Sequence, residues 1–327
     1  STSLEWEEMG PNNVGGRTRA ILIDQDNHEL MYAGSVSGGL WVSHSAGRAW
    51  HRAKGEDGNP LPNLIIGSIA QAPNGDIYFG TGELTHEYGN GGSGFIGNGL
   101  WKKNAESDYF TQIQSVSSEF NSVTDNTWSL VAALAIQEDG DVFAATNSGL
   151  MYSSDGGMNF QYCTTASIPP MVSAQCTDVQ VGTDGSIAAS IGNTLYVSAS
   201  GEHNDFVKKI IADPNFAQSA PNTRIEISIS PSNPEYIYCA ISTEGGRYGL
   251  MKGVYRSTDR GDSWEIIGKP GLSELNIFNQ QAKYDMVIKV HPEDEDKIYV
   301  GGLDLWSWSY NESWEKLIGD RIFGQDI

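Results

Sequence analysis

The sequence is poor in basic residues, cysteine, histidine and long apolar runs, and each shortage closes off a class of function. Only 20 Lys and Arg stand against 41 Asp and Glu, a formal net charge of −21. Such a chain repels phosphate backbones and anionic bilayers, which excludes non-specific nucleic-acid binding and attachment to acidic membranes. No apolar stretch is long enough to span a bilayer, so no membrane insertion is expected. Residues 1–10 do not read as a signal peptide, and a mature or a cytosolic form is expected. Three cysteines in 327 residues cannot build a disulfide framework. Cys239 falls in an apolar strand and is expected as a buried free thiol. Cys163 and Cys176 flank a linker, and the sequence leaves their pairing open. The six histidines include none in a nucleophile-elbow setting, and no Gly-rich phosphate loop opens a helix.

Glycine, by contrast, is abundant at 38 residues, and 39% of the chain is hydrophobic, which suits short strands joined by tight turns around a packed core. An internal repeat organises them. Met31-Tyr32-Ala33-Gly34, Ile77-Tyr78-Phe79-Gly80, Val142-Phe143-Ala144-Ala145, Ile187-Ala188-Ala189-Ser190, Ile237-Tyr238-Cys239-Ala240 and Ile298-Tyr299-Val300-Gly301 each follow a turn-forming pair such as Asn74-Gly75 or Asp139-Gly140. A strand precedes each turn, and two more follow each core. Four short antiparallel strands recurring at roughly fifty residues are the signature of a β-propeller blade, and no segment of helical period competes. The expected fold is all-β, a single propeller domain over 1–327. Its six countable blades lie near 17–53, 64–114, 127–162, 174–210, 224–267 and 282–318, with residues 1–10 as a possible closing strand. The start of further repeat near residue 323 is compatible with a propeller of seven or more blades inside a longer chain.

The turn between the third and fourth strands carries the most specific motif. It reads Ser153-Ser154-Asp155-Gly156-Gly157-Met158-Asn159-Phe160 in the third blade and Ser257-Thr258-Asp259-Arg260-Gly261-Asp262-Ser263-Trp264 in the fifth. A weaker copy, with Ser43, Gly47 and Trp50, has Ser45 in place of the aspartate. In this Asp-box pattern the carboxylate accepts backbone N–H groups within the turn, the glycine takes a positive φ, and the aromatic ring is buried between blades. These aspartates are therefore expected as turn locks rather than catalysts. Together with Gly10-Pro11-Asn12-Asn13-Val14-Gly15-Gly16-Arg17, Tyr32-Ala33-Gly34 and Gly38-Gly39-Leu40-Trp41, the motif resembles secreted bacterial sortilin-like Asp-box (BNR-repeat) propellers. The resemblance runs along the blade repeats of almost the whole chain. It implies a secreted or cell-surface bacterial module within a larger protein, binding a protein, peptide or glycan ligand. Blades two, four and six keep the aromatic and lose the rest of the box. Sialidases and xyloglucan-type endoglucanases also carry Asp-box propellers.

Propeller ligands usually sit where the loops between strands two and three meet the connections leading into strand one. Two such loops are long, 81–98 and 241–250, and contribute Glu83, His86, Glu87, Glu244 and Arg247. The connections contribute Arg17, Trp128, Arg224, Tyr284 and Asp285, and Asp304 belongs to the same side. Trp128 and Tyr284 have the rings to stack on a sugar or a peptide side chain. Glu83, His86 and Glu87 have the residue types for a metal or an acid–base pair. No cofactor is expected beyond incidental Ca²⁺ on carboxylate loops. A non-catalytic binding module is the expected function. The alternative is a glycoside hydrolase using two of Glu83, Glu87, Glu244, Asp285 and Asp304. Sialidase chemistry is disfavoured by the scarcity of arginine and the absence of an Arg-Ile-Pro signature.

Overall fold

A computed structural model of the chain describes residues 17–62, 64–83, 96–116, 127–165, 174–211, 222–243, 249–269, 275, 277–278 and 281–318. The opening segment expected as a closing strand and the repeat start near residue 323 lie outside them. The described residues form six sheets, each with four antiparallel strands in sequence order, and one of the six gains a fifth strand. Blade one is built from Thr18–Ile23, Met31–Ser35, Leu40–Ser43 and His51–Arg52. Blade two follows with Ile66–Gln71, Ile77–Thr81, Leu100–Lys103 and Tyr109–Gln112, and a short fifth strand, Lys54–Gly55, pairs parallel to its outer edge. Blade three comprises Val131–Ile136, Val142–Thr146, Gly149–Ser153 and Gln161–Tyr162. Blade four comprises Cys176–Val181, Ile187–Ile191, Thr194–Ser198 and Val207–Lys209. Blades five and six are Asn222–Ile229, Ile237–Thr243, Leu250–Ser257 and Glu265–Gly268, then Val287–His291, Asp294–Gly301, Leu305–Ser309 and Ser313–Ile318. The all-β propeller architecture expected from the repeat is the one observed. By contact the chain divides into two compact units, residues 1–141 with 154–159, and residues 142–153 with 160–327.

The repeated apolar core motif is the second strand of each blade. In blades two, three and four this strand is buried at every position, on both faces. In the first unit, Tyr32 and Leu40 of blade one pack with Ile66, Ile77, Phe79 and Phe110 of blade two. In the second unit, Leu195 and Val197 of blade four pack with Ile225, Ile227 and Cys239 of blade five. Tyr238 and Val254 of blade five pack in turn with Ile288, Ile298, Trp306 and Trp308 of blade six.

The glycine that closes the core motif has a packing reason. A Cβ on Gly34 would lie 2.4 Å from Ile66 Cγ2, and one on Gly80 would lie 2.4 Å from Val131 Cγ1. In both cases a β-branched residue of the next blade's first strand fills the space a side chain would need.

The turns before the fourth strands are closed by side chains. In blade five, Asp259 Oδ1 accepts from Ser263 N at 2.8 Å, and Ser257 Oγ accepts from Gly261 N at 2.8 Å. Trp264 Nε1 donates to Gly261 O, and Gly261 sits at φ +87°. Burial raises the Asp259 pKa, but the hydrogen bonds from Ser263 and Ser257 outweigh it and hold the carboxyl below its ordinary value. In blade three, Asp155 Oδ1 accepts from Asn159 N at 2.8 Å. In blade one, Ser45 Oγ accepts from Ala49 N at 3.0 Å, so the serine makes the bond an aspartate makes elsewhere.

The buried cation Arg256 ties blade five to blade six. Arg256 donates to Glu265, to Asp296 and to the Tyr238 hydroxyl, and its guanidinium lies over the rings of Tyr236 and Tyr310 at 5.0 and 4.7 Å. All three cysteines are free and buried, so Cys163 and Cys176 are not bridged. Burial pushes each thiol pKa up, which keeps the sulfur protonated and poorly nucleophilic.

Gly80→Ala tests the blade-to-blade fit. The added methyl meets Val131 with no room to relax, and a loss of about 1–3 kcal/mol is expected for overpacking of this kind, read as a lower denaturant midpoint at unchanged slope.

Candidate functional site

In the second unit, the first strands of blades four, five and six bring a set of polar side chains together within otherwise apolar runs. The first strand of blade four reads Cys-Thr-Asp-Val-Gln-Val over Cys176–Val181. Its Asp178 is only 3% exposed. Asp178 Oδ2 accepts from the backbone N–H of Ile227 in blade five at 2.7 Å, and Oδ1 accepts from Gln180 Nε2 at 3.0 Å. Gln180 Oε1 in turn accepts from Lys289 Nζ of blade six at 3.3 Å. The same bridging recurs one blade on, where Ser228 Oγ accepts from Val290 N at 3.0 Å. Side chains on one first strand thus satisfy backbone groups on the next.

Glu226 stands beside this chain. Arg224 Nε donates to Glu226 Oε1 at 2.8 Å, while the Arg224 head also donates to the carbonyls of Tyr284 and Met286 at 3.2 Å. Burial is the largest influence on Asp178 and the negative charge of Glu226 adds to it. Gln180, the Ile227 N–H and Lys289 oppose them, and the net effect is an Asp178 pKa raised to about 7. The carboxyl therefore changes charge near neutral pH inside the core. Gln180 and Glu226 are half-buried and Lys289 is exposed, so the outer members of the set offer an amide, a carboxylate and an ammonium.

The residues singled out from sequence are distributed differently. Arg17 and Glu83 meet in the first unit, with Arg17 Nη2 3.8 Å from Glu83 Oε1, and the Glu83 side chain is 3% exposed. Trp128 lies half-buried in the short turn Thr127–Ser129. Arg224 and the backbone of Tyr284 come together as described. Asp285 ends the single helical turn Ala282–Asp285. Asp304 pairs with Lys316 at 3.1 Å within blade six. His86, Glu87, Glu244 and Arg247 lie outside the described residues. Among the described residues no three His, Cys, Asp or Glu converge as a metal-binding set, and no helix is long and apolar enough to cross a membrane.

Asp178, Gln180, Glu226 and Lys289 lie on first strands, outside the long loops and connections where a propeller ligand is expected from sequence. A signal was available. Asp178 and Glu226 face Ser190 and Ala240 in register, the place in the repeat where blades one and two carry Ala20 and Ser68 against Gly34 and Gly80. Two charged residues where the repeat otherwise places small ones mark a departure from pure packing.

No protein-family model and no curated protein sequence matches the chain. Solved structures do. An ancestral GH74 enzyme is 18% identical with a TM-score of 0.64, over 95% of this chain and 40% of that one. The GH74 xyloglucanase from Xanthomonas campestris is 15% identical with a TM-score of 0.53, over 94% and 55%. YCF48 bound to D1 peptide is 11% identical with a TM-score of 0.52, over 93% and 80%. The fold is a β-propeller. At these identities the likeness carries the fold alone, and the chain spans about half or less of the length of the two GH74 enzymes. None of these three structures is a sortilin-like protein, so the comparisons support the propeller and not that subfamily.

Asp178 gives a pH test. Its folded pKa lies above the unfolded value near 3.8, so its stabilising contribution is complete in acid and is lost as pH rises through about 7. Asp178→Asn keeps an acceptor for Ile227 N and carries no charge. The wild type is expected to lose stability relative to the variant between about pH 4 and pH 7, by up to about 1.4 kcal/mol per pH unit, with the difference levelling off above pH 7 because Asp178 is then ionised in both states, in thermal melts at pH 4, 5, 6, 7 and 8.

Proposed function

We propose that this chain is a propeller module of a larger secreted or cell-surface protein, binding a protein, peptide or glycan segment without catalysing its breakdown. The observation that supports this most is the engagement of four carboxyl groups among the described residues. Glu83 is sealed against Arg17, Glu226 is held by Arg224, Asp304 is paired with Lys316, and Asp178 is enclosed by Ile227 and Gln180. A glycosidase needs one carboxylic acid and one carboxylate facing a substrate across open space. Groups already bonded to the protein's own cations and amides are poorly placed for that work. In the second unit they are well placed to hold a rigid surface on which an exposed side chain such as Lys289 meets a ligand. The YCF48 structure, a peptide-bound propeller, shows that the same fold accommodates such a ligand in a neighbour.

One observation favours the alternative of glycoside hydrolysis. Asp178, whose carboxyl burial pushes up to about 7, stands beside the negative charge of Glu226, and a carboxyl that can hold a proton near neutral pH next to a second carboxyl is one form of acid–base pair. The two readings separate in one experiment. Glycan and peptide arrays identify a ligand, and the glycan hits are then assayed for reducing-sugar release. Binding without release is expected, unchanged by EDTA because no metal or other cofactor takes part. Release that disappears in Glu226→Gln and Asp178→Asn would establish the hydrolase instead.

A further inference from the structure

The hydrogen bonds around Asp178 run in one direction. Lys289 Nζ donates to Gln180 Oε1 at 3.3 Å, and Gln180 Nε2 donates to Asp178 Oδ1 at 3.0 Å. The backbone N–H of Ile227 donates to Asp178 Oδ2 at 2.7 Å. Every hydrogen points toward the carboxyl, which only accepts. This is the bonding of an ionised carboxylate, with an amide passing the polarity of an ammonium from blade six to blade four.

A neutral Asp178 cannot keep this arrangement. The Ile227 N–H is a backbone donor and cannot become an acceptor, so Oδ2 goes on accepting and an added proton sits on Oδ1. That O–H then meets the Gln180 NH₂, donor against donor. Asp178 is buried, and a buried hydroxyl without an acceptor is costly. A half-turn of the Gln180 amide relieves the conflict by bringing Oε1 round to accept from Oδ1–H. The same half-turn points Nε2 at Lys289, again donor against donor, and the Lys289 bond is lost. A neutral Asp178 and a Lys289–Gln180 bond therefore exclude each other. Lys289 is exposed, so water takes up the released ammonium.

The surroundings put this exchange near neutral pH. Burial and the charge of Glu226, itself held by Arg224, raise the Asp178 pKa, Lys289 opposes them, and the result is about 7. The thiols of Cys176 and Cys239 also stand near Asp178, and burial keeps both protonated. The neighbouring strands Val142–Thr146 and Gly149–Ser153 of blade three and Ile187–Ile191 of blade four carry no Asp, Glu, Lys, Arg or His.

We propose that Asp178, Gln180 and Lys289 form a proton-controlled latch between blades four and six. Uptake of a proton at Asp178 Oδ1 turns the Gln180 amide over and frees Lys289. Loss of that proton turns the amide back and ties Lys289 to blade four. The latch sets whether the Lys289 ammonium is bonded within the protein or offered to solvent. It needs no ligand and does not depend on the function proposed above.

The test follows the whole chain, deuterated and labelled with ¹³C and ¹⁵N, by NMR from pH 5 to 8.5. The Asp178 carboxyl carbon, the Gln180 side-chain amide and Lys289 Cε are expected to titrate with one midpoint. Lys289→Met removes the end of the relay that favours the ionised form, so it raises that midpoint by about half to one pH unit. Gln180→Met raises it too, and Lys289→Met adds little in that background because the amide carries the coupling. Gln180 is half-buried and Lys289 exposed, so neither substitution empties the core. Asp178→Asn sets an N–H donor against Gln180, as neutral Asp178 does, and its Lys289 is expected to give the acid-form signal at every pH. The proposal is overturned if the Gln180 amide is unchanged while Asp178 titrates, or if Asp178 does not titrate in this range. It is also overturned if Lys289→Met raises the midpoint equally in both backgrounds, which marks a charge acting through space, or if Lys289 in Asp178→Asn gives the alkaline-form signal.

Discussion

A four-stranded sheet whose second strand is apolar on both faces cannot be stable in water by itself, and the rest of this structure follows from that constraint. Ile77–Thr81, Val142–Thr146 and Ile187–Ile191 are buried along their whole length, so each must be covered from both sides. Stacking blades supplies the cover, as in any repeat architecture where one unit alone cannot hide its hydrophobic faces. The closeness of the stacking is visible at Gly34 and Gly80, where the absence of a side chain admits Ile66 and Val131 from the following blade.

Close stacking also brings polar backbone near apolar surface, and such groups need partners. The first strands of the second unit meet this need with side chains. Asp178 accepts the Ile227 N–H and Ser228 accepts the Val290 N–H, one blade to the next. The two partners are not equivalent. A serine hydroxyl does the work without charge, whereas a carboxylate brings a titratable group into the core beside Glu226. The raised pKa of Asp178 is the consequence, and it makes this strand junction sensitive to pH in a way that the Ser228 junction is not. At the rim of the blades, Asp259, Asp155 and Ser45 close their turns locally, and Arg256 ties blade five to blade six through Glu265, Asp296 and surrounding rings. Arg256 and Asp178 show two solutions for buried charge: dense compensation in one case, a shifted protonation equilibrium in the other.

The candidate site was legible in part. Arg224, expected where the chain leads into a first strand, anchors a polar set through Glu226 and the carbonyls of Tyr284 and Met286. Glu83 and Arg17, expected from different connections of the repeat, meet as a pair. The members that give the second-unit set its chemistry, Asp178, Gln180 and Lys289, come from three positions more than a hundred residues apart at the extremes, and no local spacing connects them.

The sequence by itself determined the blade: its four strands, its turns and the apolar second strand, because those depend on alternation and turn chemistry within a few residues. It also determined the lock in each Asp-box turn, where donor and acceptor are four positions apart. Only the tertiary structure decided which of the described carboxylates are sealed and which thiols stay unbridged. Those outcomes depend on which side chain of the next blade arrives at a given atom, and burial and pairing across blades, unlike periodicity, leave no mark on the neighbouring residues of the chain.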